Sequence, residues 1–200
     1  MIISHKYKFI FVKTSKTAST SIEVYLSKLC ADGDIFTPII PAVEGHCPRN
    51  YEGYYNHIKA SDIRLSVSSK CWNGYYKFCV ERNPWDKTLS WFYMLNKVSH
   101  PISWNEYIES RNFPYNYNKY MDTKSSVLLV DEVVYYEDLN KGLANVFRRL
   151  GVPFGGELTV NAKANYRKDR ISYREVIGQD DASLIGEVFR PEIDMHGYSF

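Results

Sequence analysis

The 200-residue chain lacks most of the features that would assign it at once. It has no run of about 18 apolar residues, which excludes a helical membrane span. Its opening, MIISHKYKFIFVKT, does not read as a secretory leader. The apolar stretch is short, Lys8 and Lys13 break it, and no small-residue cleavage site follows. The net charge is only +2, too little to argue for nucleic acid by itself. Cys30, Cys47, Cys71 and Cys79 show neither CxxC pairing nor zinc spacing. They read as the reduced thiols of a cytoplasmic protein. There is no internal repeat and no low-complexity segment. With 44% hydrophobic and 24% charged residues the chain is ordinary for a globular domain. Its length suits one domain spanning 1–200. What it has in excess is aromatic side chains, 16% of the total, including 17 tyrosines.

Apolar runs and helical patterns alternate, which predicts an α/β fold with a mostly parallel sheet. Residues 7–12 and 76–80 read as buried strands. Between them, Ile22, Tyr25, Leu26 and Leu29 share one face of a predicted helix over 19–30. Pro84 stands where a first helical residue belongs. Residues 127–130 and 133–136 are further strand candidates. Leu139, Leu143, Val146, Phe147 and Leu150 form the clearest amphipathic helix, ended by Gly151 and Pro153. A last helix is expected over 182–189, stopping at Pro191. Segments 31–56 and 96–124 fit no element and hold many of the tyrosines. Long irregular stretches in a compact domain are usually functional loops, here expected to face an acceptor.

After the first strand comes Thr14-Ser15-Lys16-Thr17-Ala18-Ser19-Thr20-Ser21, then a helix. Strand, tight loop and helix N-terminus is a recipe for an anion site. Backbone N–H groups at the helix start, the helix dipole, the hydroxyls and Lys16 would all favour a phosphate. The loop has no glycine, so it is not a Walker loop and nucleotide triphosphate hydrolysis is disfavoured. Ser and Thr also cap helices routinely, so the loop alone supports both readings. After the second strand, Arg82-Asn83-Pro84-Trp85-Asp86-Lys87-Thr88-Leu89-Ser90 places an arginine at a strand end and a serine two turns along the next helix. An arginine there can give a phosphate a bidentate contact, or can simply be a surface charge.

KTASTS after one strand and RNPWDKTLSWFY after another resemble the sulfotransferase superfamily that uses 3′-phosphoadenosine-5′-phosphosulfate (PAPS). The carbohydrate branch, heparan sulfate 2-O-sulfotransferase-like and of a short bacterial or viral type, is the one the chain most resembles. The segment Val130–Leu139 and the ending Phe189–Phe200 also resemble family segments, so the likeness runs nearly the whole chain in order. One departure is Ser15, where the family usually has proline. The resemblance implies a P-loop-NTPase-like three-layer sandwich, with a central, mostly parallel sheet flanked by helices. It implies PAPS as donor, adenosine 3′,5′-bisphosphate (PAP) as product, and no metal. It implies Lys16 and the loop residues Thr17, Ala18, Ser19, Thr20 and Ser21 on the 5′ end, and Arg82 and Ser90 on the 3′-phosphate. A basic segment over 161–173 would close over the nucleotide, through Arg170 and Tyr173, with Lys168 as a further candidate.

Sulfuryl transfer to a hydroxyl needs a base, and a pKa near neutrality favours histidine. In the carbohydrate enzymes this histidine lies between the two phosphate motifs, where only His46 and His57 stand. His57, Ala60 and Ile63 fit the family's H-x-x-A-x-x-I segment, so His57 is the expected base, with Glu44 as a weaker candidate. The expected acceptor is a hydroxyl, on a saccharide whose faces would stack on the aromatic loops. No nucleic-acid or membrane partner is expected. Two other classes compete: a P-loop-like nucleotide kinase, disfavoured by the missing glycines, and a non-catalytic glycan- or nucleotide-binding relative.

Overall fold

A computed structural model describes residues 1–98, 101–158 and 171–200. In chain order the elements begin with β1 (Ile2–Ser4), β2 (Phe9–Phe11), α1 (Ser19–Ser27), β3 (Ile35–Phe36), α2 (Ala60–Ser66), α3 (Ser69–Gly74) and β4 (Tyr76–Glu81). Next come α4 (Pro84–Val98), α5 (Trp104–Ser110), α6 (Tyr117–Tyr120), β5 (Met121–Asp122), β6 (Val127–Leu128) and β7 (Glu132–Tyr135). After a 3-10 turn at Tyr136–Asp138 follow α7 (Leu139–Leu150), α8 (Tyr173–Val176), α9 (Gln179–Val188) and α10 (Arg190–His196). The chain divides into two compact units, Met1–Glu81 with Asn118–Ala162, and Arg82–Tyr117 with Lys163–Phe200.

The first unit holds a five-stranded sheet in the order β3-β1-β2-β4-β7. Pairing is parallel for β2/β4 and β4/β7, and antiparallel for β1/β2 and β1/β3. The sheet is therefore mixed, parallel around β4 with an antiparallel edge. Register sets Phe11 opposite Phe78 and Val80 opposite Val134. These side chains pack with Ile22 and Leu26 of α1 and with Leu143, Val146 and Phe147 of α7 in one apolar core. Gly142 lets α7 lie close on the sheet: a Cβ there would stand 2.5 Å from Val134 Cγ1. Gly151 ends α7 in the left-handed region (φ 67°), and the Val152 N–H closes back on the Phe147 carbonyl at 2.9 Å. This is the cap that glycine makes possible after a helix.

The second unit is helical. Trp85 and Leu89 of α4, Tyr107 and Ile108 of α5, Phe113, and Ala182, Ile185 and Phe189 around α9 form its core. Two expectations are corrected here. Segment 96–124 is not one irregular loop: it holds the end of α4, then α5, α6 and β5. Tyr107 and Tyr120 are fully buried, and Trp104 and Tyr115 pack on the helical core. Most of the aromatic excess there is packing. Pro191 does not end the helical region either. It lies in the first turn of α10, where proline's missing N–H costs nothing.

Candidate active site

The loop after β2 is tied to the end of β4. The Thr14 hydroxyl donates to the Val80 carbonyl at 2.5 Å, and the Val12 N–H donates to the Phe78 carbonyl at 2.9 Å. The Thr17 and Ser19 hydroxyls turn inward and donate to the Thr14 carbonyl, at 3.2 and 2.9 Å. In this structure these two hydroxyls brace the loop. Lys16 and Ala18 adopt left-handed backbone (φ 63° and 58°) without being glycine. Each such residue costs about 1–2 kcal/mol. Left-handed residues in a tight turn make a concave nest of backbone N–H groups, a shape that suits anions. The first intrahelical bond of α1 runs from Ile22 N–H to the Ala18 carbonyl (3.1 Å). The amides of the preceding residues therefore project from the positive end of the helix. Lys13 points the other way. Its buried amine pairs with Glu23 at 2.5 Å, and the second Glu23 oxygen takes the Met1 ammonium, also at 2.5 Å.

His57 stands beside this loop. It lies in a turn ahead of α2, with left-handed backbone (φ 59°), and its Nδ1 is 3.2 Å from the Lys13 carbonyl. A carbonyl only accepts, so Nδ1 carries the proton and the lone pair is on Nε2. Burial, and then the positive charges of Lys119 and Lys13, push its pKa down to about 2. The ring is therefore neutral throughout the physiological range. The turn is anchored by Ile58, which is buried. The rival candidates are placed differently. Glu44 is exposed. His46 packs edge-on against Phe36 and is half-buried.

Sequence reasoning did not find Lys119. On α6, it reaches back more than a hundred residues in sequence to donate from Nζ to Ser15 Oγ at 2.7 Å. No local pattern signals this, because the contact is made by tertiary structure. Ser15 is the partner.

Arg82, Ser90 and Tyr173 belong to the second unit. Asp86, one helical turn on from Arg82, accepts from Arg82 Nε and Nη2 at 2.9 and 2.7 Å. One edge of the guanidinium is thereby fixed, which orients the group. Ser90 is half-buried on α4. Tyr173 opens α8, with its ring 5.8 Å from that of Phe200. Arg170 and Lys168 lie outside the described residues.

No family model matches the chain. An uncharacterized protein of Archaeoglobus fulgidus is 35% identical to it over 113 residues, 53% of this chain and 94% of that protein. The two proteins belong to one family. Among solved structures, the chain is similar to mouse sulfotransferase SULT7A1 in complex with PAP. The TM-score is 0.57 at 14% identity, over 96% of this chain and 85% of that one. The fold is that of a sulfotransferase, an α/β fold with a mixed sheet flanked by helices. In that fold, the β2–loop–α1 unit and His57 form the constellation described above. Among the described residues, no group of three or more His, Cys, Asp or Glu could hold a metal ion. No helix among them is long and apolar enough to cross a membrane.

Proposed function

We propose that the chain is a PAPS-dependent sulfotransferase of the carbohydrate type, a single catalytic domain that sulfates a saccharide hydroxyl. The observation that carries this is the pairing of an anion nest at a helix N-terminus with a neutral histidine whose Nδ1 is pinned to the same loop. PAPS would supply a sulfuryl group on a phosphate leaving group. The Lys16 charge and the amides of residues 17–21 hold the 5′ end and stabilise charge on the bridging oxygen. Arg82, pre-set by Asp86, and Ser90 take the 3′-phosphate, with Tyr173 as a further nucleotide contact. His57 Nε2 accepts the proton of the acceptor hydroxyl as its oxygen bonds to sulfur and the sulfur–bridging oxygen bond breaks. A pKa near 2 suits the ligand-free protein only. The bound anion brings charge opposite to that of Lys119 and Lys13 and lifts the imidazole toward its working range. The four free thiols fit the reducing cytoplasm.

Calorimetry with PAP in the presence of a chelator tests the nucleotide site. Binding without magnesium is expected, whereas binding that needs magnesium favours a kinase and refutes the proposal. Radiolabelled-sulfate transfer to an oligosaccharide panel then tests the base. His57→Ala should lower turnover by about 100-fold or more while PAP binding survives. An unchanged rate removes His57 from the chemistry.

A further inference from the structure

We propose that residues 198–200 form a strap that positions Arg82, by holding from behind the asparagine that caps α4. The proposal rests on the sulfotransferase reading above, in which Arg82 takes the 3′-phosphate, and adds a positioning segment to it.

The contacts run from the strap to the arginine within the second unit. Asn83 precedes α4, and its Oδ1 accepts from the Trp85 and Asp86 N–H groups at 3.1 and 3.2 Å. This is an asparagine N-cap on the second and third residues of the helix. With Oδ1 so engaged, Nδ2 faces the Ser199 carbonyl at 3.5 Å. A carbonyl only accepts, so both contacts require the same orientation of the amide. Arg174 Nη2 reaches the same carbonyl at 3.4 Å. Asp86, whose N–H the cap holds, in turn grips Arg82 at Nε and Nη2. Ser199, Asn83, Asp86 and Arg82 thus form one series of contacts that ends on the guanidinium.

The strap is fixed at its root and at its tip. At the root, Gly197 ends α10 in the left-handed region (φ 69°), and its N–H closes on the Ile193 carbonyl at 2.8 Å. α10 is itself tied to α4 by the buried pair of Glu192 with Lys87. At the tip, the Phe200 ring lies 5.6 Å from the ring of Trp85 and 5.8 Å from that of Tyr173. Trp85 cannot easily follow a displaced Phe200, because its Nε1 donates to the Ala182 carbonyl at 2.8 Å. Phe200 is half-buried, a wedge at the edge of the helical core between α4 and α8. An asparagine N-cap holds its helix without help from behind. The strap adds something the cap alone does not supply: it restrains the capping side chain and, through Asp86, the swing of a long arginine. A guanidinium already held in place has less freedom to lose when a phosphate arrives.

The test uses the full chain and two nucleotides that differ only in the 3′-phosphate, PAP and adenosine 5′-phosphate. Calorimetry gives the preference for PAP as a ratio of affinities. Phe200→Ala should lower that preference about three- to tenfold, the cost of ordering one long side chain on binding. The milder Phe200→Leu and the exposed Arg174→Met should give smaller falls of the same kind. In an Arg82→Ala background, Phe200→Ala should change the preference by less than about twofold, because the strap acts through Arg82. The Arg82 Nε–H resonance, followed by NMR in the ligand-free protein, should shift and broaden in Phe200→Ala and Phe200→Leu. Equal losses for the two nucleotides overturn the proposal, since a strap that only braces the helical unit would weaken both. A fall that persists undiminished without Arg82 also overturns it. If the unsubstituted protein binds no PAP, the sulfotransferase reading fails instead. The Arg82 resonance then decides the strap, and an unchanged signal in both Phe200 variants overturns it.

Discussion

Lowering the pH should destabilise this protein through His57, by an amount the structure sets. In the fold the imidazole is partly buried, faces Lys119 and Lys13, and has its pKa pushed down to about 2. In the unfolded chain it returns to about 6.5. Between these values the unfolded chain binds a proton that the folded one does not, so stability rises with pH across that window. The contribution is complete above about pH 6.5 and is lost progressively as the pH falls below it. At pH 5 the full linkage is about 2 kcal/mol, and about 1–2 kcal/mol once solvent screening of the exposed edge is allowed for. Urea unfolding at pH 8 and pH 5, for the natural chain and for His57→Gln, measures it. Glutamine keeps a donor for the Lys13 carbonyl but cannot titrate. The difference in pH sensitivity between the two proteins should be about 1–2 kcal/mol. The Met1 ammonium, lowered to about 6 by desolvation, is common to both and cancels. Parallel losses in the two proteins would show that His57 titrates normally in the fold, and the argument for a desolvated base would fail.

Four further outcomes are expected. Lys87→Met should cost about 3–5 kcal/mol in urea unfolding, because it leaves the fully buried Glu192 carboxylate without its cation. Glu192→Gln should cost less than Glu192→Leu, since an amide oxygen can still accept from the Asn116 and Tyr117 N–H groups, now at 2.7 and 2.8 Å. Gly142→Ala should cost about 1–3 kcal/mol by the same assay, because its methyl meets Val134 on a packed sheet; an unchanged midpoint would contradict that close approach. Arg82→Ala should weaken PAP by about 10- to 100-fold but leave adenosine 5′-phosphosulfate, which has no 3′-phosphate, nearly unaffected in calorimetry.

What could be read in advance was what the chain encodes locally. The spacing of Leu139, Leu143, Val146, Phe147 and Leu150, with Gly151 behind it, identifies α7 with the bounds the structure shows. The loop after β2 was legible because a strand, a lysine, hydroxyls and a helix follow one another directly. The three-residue β1 was missed because so short a run carries no periodicity, and its place is decided by pairing with β2 and β3. Segment 96–124 misled because Asn and Pro break any local pattern, while burial of Tyr107 and Tyr120 is decided by distant partners. The inward turn of the Thr17 and Ser19 hydroxyls was equally out of reach. A hydroxyl in a phosphate-like loop reads as a ligand donor until the Thr14 carbonyl is seen to take it.

Lys13 shows why the loop and the base must be considered together. By sequence it is one of two lysines flanking Thr14 and Ser15. Its side chain is instead withdrawn to Glu23, and it is the backbone carbonyl that serves the site, by accepting from His57. That carbonyl belongs to the same turn whose next residues form the nest. The tautomer of His57 is therefore set by the conformation of the loop after β2, across 44 positions of sequence. If an anion binds there and shifts the loop, the His57 hydrogen bond would change directly, with no intervening element. The charge of such an anion would act in the same sense, because it opposes Lys119, Lys13 and the Met1 ammonium, the cations that add to burial in depressing the imidazole. Geometry and field are thus linked at one residue, and under the proposed function His57 would become a better proton acceptor as the donor binds.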